Sequence, residues 1–133
     1  MTTFVDSSVL IDLLDDQSPH YGWSSAEFAK AKASGPVVVS DVVYSEFSVT
    51  LPSEEEADAV ISHLALVRVG YPNQALFRAG KAYARYRRNR GQKLNVLPDF
   101  FVGALADVEG APVLTRDPGK VRTYFPEVHV ISP

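Results

Sequence analysis

Hydrophobic positions gather in five short runs separated by amphipathic stretches: Thr2–Val5, Val37–Val39, Leu66–Val69, Pro112–Leu114 and Val128–Ile131. Each is brief, most are rich in β-branched residues, and polar or turn residues bound them. That predicts short strands. The stretches between carry helix signals. Ser7 or Ser8 could cap a helix through Val9-Leu10-Ile11 and Leu13-Leu14. Ser24–Ala33 reads as a helix closed by Gly35-Pro36. The next helix opens at Ser40 or Asp41, carries Glu46 and stops at Pro52. Ser53 with Glu56 three residues on is a capping box, opening a helix to about Leu64. Pro72 begins a long helix that Gly91 stops, and Gln92–Pro98 is a loop. A helix follows from Pro98-Asp99 to Gly110, then Asp117-Pro118-Gly119 reads as a turn. Strands alternating with helices predict an α/β fold on a mainly parallel sheet. In such a sheet the ligand site lies at the carboxyl ends of the strands.

Four acids stand out against this pattern because each follows or interrupts an apolar run. They are Asp6 in TFVDSSVLIDLL, Glu46 in VVYSEFSVTL, Asp99 in VLPDFFVGALA and Asp117 in PVLTRDPGK. A carboxylate removed from water is costly unless paired, hydrogen-bonded or bound to a cation. Asp6 and Asp117 fall just past strands, so both reach the carboxyl edge, and Glu46 and Asp99 would come from helices packed nearby. Gathered together, the four would repel one another and need a cation. Oxygen ligands without Cys or His favour Mg²⁺ or Mn²⁺ over zinc. Each acid also has a plainer reading. Asp6 could cap the first helix, Glu46 could be solvated, Asp99 could complement a helix dipole and Asp117 could serve its turn.

Composition narrows the options further. The chain has 133 residues, which suits one domain, 1–133, and 46% of them are hydrophobic, enough for a real core. It has no cysteine, which rules out a disulfide, a thiolate nucleophile or Cys-ligated zinc and fits a cytoplasmic setting. The N-terminus lacks the basic region of a signal peptide, and no apolar run nears the ~20 residues of a membrane span. His20, His63 and His129 have no ligand-like spacing. The net charge of −3 hides an asymmetry: residues 78–93 hold seven of the 13 basic residues and no acid. The rest of the chain is left with six basic and 16 acidic residues, net −10. Arg78, Lys81, Arg85 and Arg88 form one helical stripe that continues to Arg90 and Lys93. Such a stripe suits phosphate contacts, which give affinity and position but little sequence choice. It could equally be a solvated face or the dock of an acidic protein. Leu76, Ala79, Tyr83 and Tyr86 read as the packed side. Tyr21 and Trp23 could stack bases or join the core, and Asp12, Asp15, Asp16 and Asp41 read as solvated.

Taken in order, these features resemble the PIN-domain ribonucleases, in particular the VapC-like toxins of type II toxin–antitoxin pairs. VDSSVLIDLL looks like the opening strand and helix, with the first metal-binding acid at Asp6. Glu46, Asp99 before an Ala-rich stretch, and Thr115 with Asp117 in VLTRD match the later positions, and VHVISP is similar to the usual end. Ser8 resembles the polar residue that holds the first acid or a metal-bound water, and Thr115 the hydroxyl that orients the site. The resemblance implies a three-layer α/β/α domain with a short-stranded, mainly parallel central sheet. It implies Mg²⁺- or Mn²⁺-dependent endonucleolytic cleavage of RNA, with all four acids as catalytic and metal-ligating residues. A homodimer and a small neutralising antitoxin are implied as well. Some PIN domains carry a further acid or Asn after the fourth; here the stretch is Pro118-Gly119-Lys120, which puts a second metal in doubt. That departure leaves room for a catalytically weak or inactive PIN-fold RNA-binding protein. A phosphate-handling receiver or phosphatase fits poorly, because Ser7 and Ser8 stand where a second acid would be needed.

Overall fold

The computed structural model describes residues 1–89 and 97–133. Five strands form one sheet: β1 (Thr3–Val5), β2 (Val37–Ser40), β3 (Val67–Val69), β4 (Val113–Leu114) and β5 (Val130–Ile131). All neighbours pair in parallel, in the order β3-β2-β1-β4-β5. The three central strands β2, β1 and β4 are wholly buried, as their uninterrupted apolar runs require. At the edge, β3 is exposed at Val67 and Arg68.

Among the described residues the helices form two groups. The first is α1 (Ser7–Leu13), α2 (Tyr21–Ser34), α3 (Asp41–Ser48) and α4 (Glu54–His63). The second is α5 (Asn73–Arg88), α6 (Phe101–Glu109) and α7 (Gly119–Tyr124), with a 3-10 turn at Leu97–Phe100 leading into α6. The result is the α/β/α arrangement expected, with a parallel sheet between helices.

Local chemistry explains most boundaries. Ser40 caps α3 by accepting from Val43 N, and Ser53 caps α4 by accepting from Glu56 N. Gly110 closes α6 in the left-handed region at φ 65°, where a Cβ is disfavoured. Four expectations change. The cap of α1 is Asp6, through Ser7 N, which is the plainer reading of that acid, and not Ser7 or Ser8, which lie inside the helix. The second helix starts at Tyr21, three residues before Ser24. The Asp-Pro-Gly turn runs straight into a short helix, α7. On α5 the buried side is Ala75, Ala79 and Ala82; Tyr83 and Tyr86 are half-buried, and Leu76 is exposed.

Strand order positions the site. From β1 the chain steps outward one way to β2 and β3, while β4 and β5 lie on the other side. The carboxyl ends of β1 and β4 therefore flank the point where the direction reverses, the place where open α/β sheets form a crevice. Asp6 follows β1 there, and its backbone N donates to Leu114 O at 3.0 Å.

Candidate functional site

The crevice holds a cavity of about 30 Å³, room for about one water. Asp6, Glu46, Asp99 and Asp117 all line it, with Val102, Lys120 and Val121. The fold thus brings together four acids spread over 112 positions of sequence. Four roomier hollows lie elsewhere among the described residues. A groove of about 420 Å³ at the amino ends of the strands is lined by Met1, Ala106, Glu127 and His129, among others, without a comparable gathering of acids.

Asp6 is the most firmly held of the four. Its Oδ1 accepts from Ser7 N at 2.9 Å. Its Oδ2 accepts from Thr115 Oγ1 at 2.6 Å and from Ser8 Oγ at 3.2 Å. Those hydroxyls are fixed in turn: Ser8 Oγ accepts from Arg116 N at 3.1 Å and Thr115 Oγ1 from Asp117 N at 2.9 Å. Thr115 is buried, so these bonds are shielded from water. Burial nevertheless raises the Asp6 carboxyl above its usual range, against the lowering effect of its three donors, and the Asp117 charge adds to the rise.

Glu46 projects from α3 into the same space. Burial first, then the charges of Asp6 and Asp99, push its carboxyl up to about 7, while a hydrogen bond with Ser7 acts the other way. Asp99, in the 3-10 turn, faces Lys120 of α7, with Nζ 3.4 Å from Oδ2. Asp117 is exposed at the rim. Among the described residues no three acids or histidines close into a metal cage by themselves. The donor set still fits a hard divalent ion. It is all oxygen, and it carries repulsion that a cation would offset; Mg²⁺ and Mn²⁺ also keep several waters and need few protein ligands.

Behind the site lies a pair that sequence reading did not anticipate. Asp12, read as solvated, is buried, and its carboxylate accepts two bonds from the Arg116 guanidinium, from Nε and, at 2.9 Å, from Nη2. Ser24 Oγ donates to the same carboxylate. The pair ties α1 and α2 to the segment carrying Thr115 and Asp117. The available signal was weak: Asp12 lies four residues after Ser8 on one helix face, and Arg116 lies between two site residues.

The basic helix is less uniform than its spacing suggests. Arg78 pairs with Asp107 at 2.6 Å, near the end of α6, while Tyr86 packs on Phe100 at its start. Hence α5 climbs towards the acid cavity, with Arg78 farthest from it. Lys81, Arg85 and Arg88 are exposed; Lys81 lies over the Phe77 ring, and Arg85 donates to Tyr124 O at 2.9 Å. Arg90 and Lys93 lie outside the described residues. Trp23 packs on the core, whereas Tyr21 is half-buried.

Among the described residues no helix is long and apolar enough to cross a membrane. No curated protein matches the chain significantly in sequence. Solved structures do match it in shape over nearly its full length. VapBC2 of Rickettsia felis, bound to a promoter DNA fragment, gives a TM-score of 0.71 at 14% identity, covering 100% of this chain and 99% of that one. The DNA-bound VapBC of Salmonella typhimurium gives 0.72 at 18%, covering 99% and 98%. VapC20 of Mycobacterium tuberculosis, described as a toxin that cleaves the sarcin-ricin loop, gives 0.64 at 18%, covering 96% and 98%. The PIN domain family profile matches residues 3–126, and with it the chain belongs to the PIN domain family.

Proposed function

We propose that the chain acts as a single PIN domain, a metal-dependent endoribonuclease that cuts RNA phosphodiester bonds. The observation that carries this reading is the convergence of Asp6, Glu46, Asp99 and Asp117 on one cavity at the strand carboxyl ends. The four acids would hold Mg²⁺ or Mn²⁺ directly or through water. When bound, the ion supplies an acidified water and positive charge at the phosphate. The protein's own part is to position and to balance charge. Ser7 N and the Ser8 and Thr115 hydroxyls aim the Asp6 carboxylate, and Asp117 is held through Thr115. Lys81, Arg85 and Arg88 offer phosphate contacts along α5, the last two on the part that nears the cavity.

The biological setting we propose is a cytoplasmic toxin, a homodimer neutralised by a small antitoxin. Its support is the run of toxin–antitoxin assemblies among the structural neighbours. The alternative, a catalytically weak RNA-binding protein, draws on the ammonium of Lys120 standing against Asp99.

The test is incubation of the purified protein with total RNA and Mg²⁺ or Mn²⁺, followed by mapping of cut ends. Cleavage should vanish with EDTA and fall at least about a hundredfold in Asp6→Asn and in Asp99→Asn, the scale of losing a transition-state charge partner. Undiminished cutting in both variants with EDTA present sinks the proposal. RNA binding without cutting under either ion favours the alternative.

A further inference from the structure

We infer that Lys120 is a tethered cation of the acid cavity, set against Asp99 so that the cavity loads one divalent ion rather than two. This rests on the reading of the cavity as a metal-dependent nuclease site.

Three observations place the ammonium there. Lys120 lines the cavity together with all four acids. Its Nζ lies 3.4 Å from Asp99 Oδ2, longer than a good hydrogen bond but well within ion-pair reach. The same Nζ sits 5.7 Å from the centre of the Tyr86 ring, so an aromatic face flanks it as well.

The surroundings keep its helix in place. Tyr86 packs against Phe100 and Tyr124, at 5.6 and 6.4 Å between ring centres. Helix α7, which carries Lys120, is anchored by buried Val121, with Phe125 buried just beyond its end. Phe125 lies so close to Gly103 of α6 that a Cβ there would meet its ring at 2.6 Å. The lysine therefore rises from a helix clamped beside the acid-bearing turn, not from a free loop.

Charge decides the consequence. A carboxylate at this position would add a negative ligand and draw in a second cation. An ammonium does the reverse, and the two alternatives differ by two unit charges at one place. Lys120 offsets the charge of Asp99 and disfavours a second divalent ion beside it, leaving one ion held closest to Asp6, which Asp99 reaches through water.

The experiment is a Mn²⁺ titration of the full chain without RNA, read by calorimetry and by the electron paramagnetic resonance of free Mn²⁺. Wild type should bind one ion. Lys120→Gln should bind two, the first about tenfold more tightly, because a nearby positive charge is gone. Lys120→Arg, which keeps the charge, should return to one. Thermal melts confirm that each variant is folded. A folded Lys120→Gln that takes one ion with wild-type affinity overturns the inference. A wild type that takes two ions also overturns it, while leaving the nuclease reading intact. A wild type that takes none, with Asp6→Asn no different, overturns both.

Discussion

The two walls of the acid cavity are built on opposite principles. At one wall, Asp6 is fixed by a backbone N–H and two hydroxyls, each hydroxyl held by a further backbone bond. At the other, Asp99 meets a single ammonium at 3.4 Å, and both side chains keep substantial exposure, 40% and 29%. The first wall fixes geometry without neutralising charge, because hydroxyls and N–H groups orient a carboxylate but leave its negative charge in place. The second neutralises charge without fixing geometry, because a long ion pair between partly exposed groups tolerates rearrangement. On the proposed reading, a site that admits a cation and a polyanion would use both: one wall would set where the ion sits, and the other would adjust as charge enters.

The largest expected effect breaks the fixed wall from behind. Arg116→Ala leaves the Asp12 carboxylate buried with only Ser24 as a partner. Removing one member of a buried pair typically costs about 3–5 kcal/mol. Urea unfolding should therefore show a loss of about 3 kcal/mol or more, and a loss below about 1 kcal/mol would mean that the pair does not hold the wall. Thr115→Val should come next. It preserves the side-chain shape but removes the donor to Asp6 and the acceptor for Asp117 N. The expected cost is about 1–3 kcal/mol, with a larger proportional loss of RNA cleavage than of stability. Equal cleavage by Thr115→Val and wild type would show that Asp6 needs no hydroxyl to aim it.

Local patterns carried the sheet and the acids, but not the pairings. The central strands were legible because a parallel strand buried on both faces reads as an unbroken apolar run, as Val37–Val39 does. Ser53 was legible because capping is a four-residue event. Asp12 was misread as solvated because its partner, Arg116, lies 104 residues away and no local signal links them. Leu76 was misread as packed because α5 closes against its neighbours through Ala75, Ala79 and Ala82, whose small side chains look neutral in a hydrophobicity pattern. Lys120 stands three residues beyond Asp117, in a helix hidden behind a turn signature. Its proximity to Asp99 depends on how α7 meets the 3-10 turn, which sequence does not record.

The smallest effect is one of pH, and it separates the walls by their electrostatics. Glu46 lies between them, raised from 4.5 to about 7 chiefly by burial and then by the charges of Asp6 and Asp99. In the unfolded chain its carboxyl returns to the ordinary value. Between about 4.5 and 7 the folded protein therefore binds a proton that the unfolded chain releases. Its stabilising contribution is complete below that window and is lost as pH rises through it. The full shift would be worth about 3 kcal/mol; because Glu46 is only half-buried, screening by solvent reduces this to about 1–2 kcal/mol. Asp6, also raised, acts in the same direction, so the Glu46 share is read from a difference. Urea unfolding of the metal-free protein at pH 5 and pH 8 should show wild type losing more stability with rising pH than Glu46→Gln, by that amount. Added Mn²⁺ should flatten the wild-type slope, since a bound cation favours the ionised carboxylate. Matching slopes in wild type and Glu46→Gln would place Glu46 outside the mutual repulsion of the acids and reduce the charge problem to Asp6 and Asp117 alone.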